Sequence, residues 1–332
     1  MSSCHISPRQ NARRGFTLVE LLVVIVIIAI LATLIFVGAT AARNSVRRGI
    51  IKLQISQVSG ALESYKNRFG EYPPDFSDEA AVMRHVRKRW PNWQNSPKNF
   101  GEFCDAILAS RAGYNFKVLT SADLPGADSC ELKSRGAHVG ALAFWLGGIP
   151  DKSTGMLNGF SADVSNPLGV TFVNGKWNIN DITQWDKDSQ FIELTIGQNC
   201  EIVDGLPVIT ANGYPIAYFK PNAAGKYMEK APLNESLCYH FRYNSSVHPP
   251  TWEQLGIAVP YAKTNAPAAD AVWHNPKSYQ LIHPGLDGKF SGENPAEFRA
   301  IDPANNVSLK MTLADRDNQA NFGGTTIESA GN

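Results

Sequence analysis

The sequence predicts an α+β protein, with one very long N-terminal helix followed by a turn-rich body of antiparallel strands. Three observations carry this reading. No proline occurs between Pro8 and Pro73, so nothing there interrupts a helix. Residues 16–37 are almost wholly apolar. Beyond Val170, short β-branched and aromatic runs alternate with Asn-Gly and Asp-Gly pairs, the pattern of hairpins. With 332 residues, 43% of them hydrophobic and 10% aromatic, the chain can bury a proper core. Lys and Arg number 31 against 30 Asp and Glu, a net charge of +1. No excess of base is left to neutralise phosphates, which argues against a nucleic-acid partner.

The chain opens with a basic leader. Residues 1–15 hold Arg9, Arg13 and Arg14 and no acid, so their removal would take the formal charge from +1 to −2. The apolar run that follows spans about 33 Å as a helix at roughly 1.5 Å per residue. That is enough to cross a bilayer core of about 30 Å. It exceeds the roughly 7–15 apolar residues of a secretory signal. The leader is expected on the cytoplasmic side. Arg43, Arg47, Arg48 and Lys52, beyond the run, oppose that charge argument.

Glu20 breaks the apolar pattern. A carboxylate inside such a helix costs about 2.5–3.5 kcal/mol on insertion scales, so it needs compensation. Cleavage between Gly15 and Phe16 would create an α-ammonium one helical turn before Glu20. In a bundle of identical helices the ammonium of one subunit could meet Glu20 of the next, fixing their axial register. Three readings stand at this point: a simple membrane anchor, a secretory signal cut after Ala39-Thr40-Ala41, and a helix built for assembly.

Arg14-Gly15-Phe16-Thr17-Leu18-Val19-Glu20-Leu21-Leu22, continued by the apolar run, resembles the N-terminus of type IV pilins and type II secretion pseudopilins. The resemblance covers residues 13–70, about a fifth of the chain. It implies a pilin-like fold, cleavage after Gly15 by prepilin peptidase, N-methylation of Phe16, and a role for Glu20 in subunit recruitment and assembly. It also implies other pseudopilins, an inner-membrane assembly platform and membrane lipid as partners.

The helix should continue to about Arg68, roughly 78 Å from Thr17 at 1.5 Å per residue. Ile51, Ile55, Val58, Leu62, Tyr65 and Phe69 recur at steps of four and three, a stripe expected to pack on the chain's own body. Gly38, Gly49 and Gly60 each weaken the helix by up to about 1 kcal/mol relative to alanine. They are expected to permit bending or local melting. Gly70 suits a C-terminal cap and Pro73 forbids continuation. The string Tyr65-Lys66…Gly70-Glu71-Tyr72-Pro73 resembles the helix end of major pseudopilins.

Helices are expected over residues 78–90, 101–111 and 136–146, with Arg84, Arg87, Lys88 and Arg89 as a solvated face of the first. Residues 141–146 read as core, ended by Gly147 and Gly148. Residues 170–173 and 176–179 around Asn174-Gly175 predict a hairpin. Residues 201–203 and 206–209 around Asp204-Gly205 predict a second, with Pro207 demoting its arm to an edge. Further strands are expected at 191–196, 216–220, 239–243 and 278–282. The Ala- and Pro-rich stretch 262–271 reads as a linker.

The expected domains are a leader (1–15), a membrane or filament-core helix (16–37), its body-packed continuation (38–70) and a globular body (71–332). On the resemblance, residues of about 76–270 are an insertion and about 271–332 the closing strands. Gly285-Leu286-Asp287-Gly288 resembles the closing loop of major pseudopilins, which holds calcium. That implies Asp287 and Asp317 as ligands, with Asn318 a further candidate, since carboxylates and carbonyls on a glycine-rich loop suit Ca²⁺. Twenty-nine residues separate the two aspartates, more than the compact family loop has.

Cys4 lies in the leader. Cys104, Cys130, Cys200 and Cys238 would face an oxidising exterior and allow three pairings, Cys104–Cys130 with Cys200–Cys238 being the nearest-neighbour choice. The histidines are scattered, and no metalloprotease, nucleophile-elbow or phosphate-loop motif occurs. The sequence thus points to a non-enzymatic subunit of a type II secretion pseudopilus, held in the inner membrane by one span with its body periplasmic or extracellular. The alternatives are a minor pilin of a type IV pilus and a membrane-tethered sugar-binding or hydrolytic domain.

Overall fold

A single helix, α1, runs without a break over Leu18–Phe69. In the computed structural model the described residues are 18–76, 78–110, 140–151, 155–174, 176–179, 187–188, 190–203, 206–227, 239–240, 257–263, 271–290, 299–302, 307–309 and 317–322. Together they form a long helix with mixed helices and antiparallel sheets, an α+β architecture. The chain divides into two compact units, Met1–Val46 and Arg47–Asn332.

In the first unit the apolar side chains of α1 are exposed all round, from 45% at Val24 to 80% at Leu18. In the second unit the helix has a buried stripe: Ile51, Ile55, Val58, Leu62 and Tyr65 are all buried, with Phe69 packed at the margin. The expected stripe is therefore the seam on which the body is built. Gly70 closes α1 at a φ of 80°, its N–H donating to Lys66 O at 2.7 Å.

Three shorter helices contribute to the same core cluster. α2 (Glu79–Arg89) starts at Asp78, whose carboxylate accepts from Ala81 N at 3.0 Å. It buries Val82, Met83, His85 and Val86. α3 (Phe100–Ser110) is capped by Asn99, which accepts from Glu102 N at 2.9 Å, while Glu102 reaches back to Lys98 N at 2.9 Å. α4 (140–147) is buried throughout and ends at Gly148, with a φ of 80°. A Cβ on Gly148 would stand 2.1 Å from Gly159 O, so only glycine fits there. Trp145 on α4 is the hub of the core, with the rings of Tyr65, Phe76, His85, Trp90, Phe103 and Phe144 around it.

The first hairpin pairs Val170–Val173 with Lys176–Ile179 across Asn174, whose φ is 53°. The second pairs Cys200–Val203 with Leu206–Ala211. A third strand, Tyr214–Pro215, adds to it through Asn212 and Gly213, both at positive φ. Leu206–Ala211 is thus the middle strand of three, where Pro207 had suggested an edge. Pro207 is tolerated because Tyr214–Pro215 pairs only with Thr210 and Ala211, leaving the proline's outer side unpaired. Of the expected strand at 191–196, Leu194–Thr195 pairs with Met156–Leu157 and Ile196 bridges to Cys200.

Ala217–Phe219 lies antiparallel beside Gln280–His283, which pairs in turn with Gln319–Ala320. The expected insertion and the closing segment therefore share one sheet. Tyr261–Ala262 pairs in parallel with Arg299–Asp302, and Ala262 bridges to Trp273. Both ends of the expected linker are thus pinned, and its residues 264–270 lie outside the described set.

Candidate processing and assembly site

Of the expected processing residues, Gly15 and Phe16 lie outside the described set. Glu20 is exposed in the first turn of α1, where a carboxylate is favoured by the helix dipole. The helix is long and apolar enough to cross a membrane. A helix that is apolar all round is stable only with lipid or other helices around it.

The other end of α1 is tied down by a buried polar network. His85 Nδ1 lies 2.8 Å from Glu71 Oε1, and His85 Nε2 lies 2.6 Å from Tyr65 Oη. Arg89 Nη1 donates to the same Tyr65 oxygen at 2.8 Å. Glu71 is an acceptor, so Nδ1 carries the imidazole proton and Tyr65 donates to Nε2. Burial pushes His85 down to about 4 against the opposing pull of Glu71, so the contact is a hydrogen bond from a neutral imidazole to the carboxylate and not an ion pair. Burial works to raise Glu71, but His85, Lys220 and Lys88 outweigh it and hold the carboxylate below its ordinary range. Arg89 leaves the solvated face expected of its neighbours. Its guanidinium sits 4.4–5.7 Å from the ring centroids of Tyr65, Phe69, Trp90, Trp145 and Phe160. Arg84, Arg87 and Lys88 do face solvent.

The turn after α1 is read by the body through backbone carbonyls. Tyr218 Oη donates to Pro73 O at 2.7 Å, Trp145 Nε1 to Pro74 O at 3.0 Å, and Lys220 Nζ to Tyr72 O at 2.8 Å. Prolines have no N–H, so their carbonyls are the only main-chain groups available there. Tyr279 Oη reaches Ser59 O at 3.4 Å. The helix end is therefore rigidly seated, and this junction was only partly visible in the sequence: its stop signals were, its recognition by Tyr218 and Trp145 was not.

The closing loop brings Asp287 and Asp317 together. Asp317 Oδ2 accepts from Leu286 N at 2.7 Å and Asp287 N at 3.2 Å. Its Oδ1 is buried with no hydrogen-bond partner among the described residues. Gly285 and Gly288 have φ values of 72° and 71°, and Cβ atoms there would strike Asp317 and the Tyr214 ring. Desolvation and the Asp317 charge raise the Asp287 carboxyl above its usual range, although its hydrogen bond from Lys289 N opposes them. Asn318 is buried, and its Nδ2 donates to Tyr261 Oη at 3.1 Å. His283 fixes the loop from beneath, accepting from Gly285 N at 3.1 Å while its other nitrogen donates to Ala211 O at 2.9 Å. No cluster of three His, Cys, Asp or Glu side chains occurs among the described residues.

Residues 10–36 match the family model of the prokaryotic N-terminal methylation motif. The chain carries a prepilin-type methylation signal. That motif, with the long apolar helix behind it, fits a pilin-like α+β protein anchored by a single membrane span. A motif of this kind implies processing by prepilin peptidase and assembly with other pilins. No curated protein and no solved structure matches the chain.

Cys104 and Cys200 are buried in the body, while Cys130 and Cys238 lie outside the described residues, so the pairings are not seen. His85, His274 and His283 are buried packing residues. Burial pushes His274 and His283 down to about 4 as well.

Proposed function

We propose that this chain is a structural subunit of a type II secretion pseudopilus. Prepilin peptidase removes residues 1–15 and methylates Phe16. The inner-membrane assembly platform then draws the helix from the membrane into a periplasmic filament of this and other pseudopilins. The observation that carries the reading is the methylation signal at residues 10–36 on a helix whose apolar face is unburied in its own chain. The helix end at Gly70-Glu71-Tyr72-Pro73, which resembles that of major pseudopilins, favours this assembly over an adhesive pilus.

In this mechanism Glu20 is the registering residue. Lipid makes an ionised carboxylate costly by about 2.5–3.5 kcal/mol, and a neighbour's Phe16 ammonium offsets that only when the two helices are correctly staggered. Replacing Glu20 with Leu should abolish cross-linkable filaments while leaving membrane insertion and the melting of the body unchanged. Filaments of normal length from Glu20→Leu would remove the proposal. If the body is instead a tethered lectin or hydrolase, sugar binding or turnover should survive that substitution.

Calcium at the closing loop is part of the proposal. The unpartnered Asp317 Oδ1 beside Asp287 offers a divalent cation two carboxylates and nearby carbonyls, a hard-oxygen set. Such an ion would neutralise the charge pair and tie the closing segment together. Calcium should raise the melting temperature reversibly, with chelator reversing it. An unchanged melting curve would dismiss the ion.

A further inference from the structure

We propose that Arg43, Arg47, Arg48 and Lys52 form a collar that binds the headgroups of anionic phospholipids on the body side of the membrane. The inference rests on the reading of residues 16–37 as a membrane span. All four cations lie on α1, and all four are exposed. Between Glu20 and Glu63 the chain contains no Asp or Glu. Among the described residues none of the four makes an ion pair. Among the described residues, then, nothing supplies their counter-charge.

Helix length selects its source. With residues 16–37 filling the acyl core as about 33 Å of helix at roughly 1.5 Å per residue, the span ends near Val37. Arg43 then stands at the opposite headgroup layer, and Arg47 and Arg48 follow about one turn later. Their long stems lie along apolar surface while the charged ends reach back to phosphate. The arginine fork matches phosphate oxygens in pairs. Val46, Ile50 and Leu53, interleaved with the cations, are 62%, 48% and 60% exposed, as suits a headgroup–acyl boundary. The collar would hold the subunit at fixed depth until it is extracted. It also explains why cations stand on the side that the charge rule for orientation disfavours.

The test is native mass spectrometry of the full chain in detergent, titrated with phosphatidylglycerol or phosphatidylcholine. Each basic residue at an anionic surface contributes about fivefold in affinity. Phosphatidylglycerol should therefore be retained at least ~10-fold better than phosphatidylcholine. The Arg43→Gln, Arg47→Gln, Arg48→Gln, Lys52→Gln variant should lose most of that preference. The leader variant Arg9→Gln, Arg13→Gln, Arg14→Gln should lose less. Equal retention of the two lipids overturns the collar, as does a preference unmoved by the four substitutions. An intact lipid preference with lost subunit cross-linking would also overturn it, assigning the cations to a protein neighbour. Carbonate extraction from liposomes separates the two levels. A chain that washes out refutes the span itself, whereas one that stays in while showing no lipid preference refutes the collar alone.

Discussion

The two halves of α1 are made of the same local structure and face opposite problems. Apart from Glu20 and Thr33, residues 18–36 are apolar all round and exposed, whereas residues 51–69 carry one apolar stripe with polar sides, and the stripe is buried. Helix propensity does not distinguish them; the distribution of apolar residues around the axis does. The first half is exposed among the described residues and needs lipid or other helices around it. The second half brings its environment with it, as the body folded on Ile51, Val58, Leu62 and Tyr65. A substitution should therefore cost assembly in one half and stability in the other.

The largest contrast is between Leu62→Ala and Leu31→Ala. Leu62 is fully buried, and its truncation should cost about 2–5 kcal/mol in thermal unfolding of the detergent-solubilised chain. Leu31 is 53% exposed, and its truncation should leave the body's melting unchanged. Equal losses at both sites would erase the distinction.

Acid is the next probe, and it acts only on the body. His85, His274 and His283 each fall from 6.5 to about 4 on folding. The unfolded chain therefore takes up protons below about pH 6.5 that the folded chain refuses until about pH 4, so stability declines as pH falls through that window. Each histidine contributes up to about 3 kcal/mol to the decline, which levels off below the folded value. A melting temperature flat from pH 7 to 4 would contradict this. Asn at 283 should flatten part of the curve.

Tyr65→Phe sharpens the junction at the end of α1. It leaves His85 Nε2 without its donor and Arg89 without its acceptor in a buried setting, at a cost of about 1–3 kcal/mol. The smallest effect belongs to the helix glycines. A Cβ at Gly49 or Gly60 meets nothing within 4 Å. Alanine at either position should therefore stabilise the body by up to about 1 kcal/mol. Hydrogen exchange decides whether these glycines also serve local melting: uniform protection across both would argue that they do not.

What the sequence made legible followed from local rules. The missing prolines, the four-three stripe, the Gly70 cap and the hairpin around Asn174 each act within a few residues, and each is seen in the fold. Asn212-Gly213 carries the same turn signal as Asn174-Gly175 and adds the third strand that makes Leu206–Ala211 central, where Pro207 suggests an edge. Other features depend on distant partners. The inward turn of Arg89 requires five rings from separate segments, and the pairing of Ala217–Phe219 with Gln280–His283 has no local signature. The approach of Asp317 to Asp287 was suggested by resemblance alone, and the loop glycines Gly285 and Gly288 are what allow it. For the processing site the sequence carries everything, since Gly15 and Phe16 stand outside the described residues.

The mass of the first peptide of the mature chain tests the central claim most directly. The account predicts a chain beginning at Phe16 and bearing one added methyl group, with the arginine-rich leader gone. A mature chain that keeps residues 1–15, or one that begins at Ala42, would contradict it.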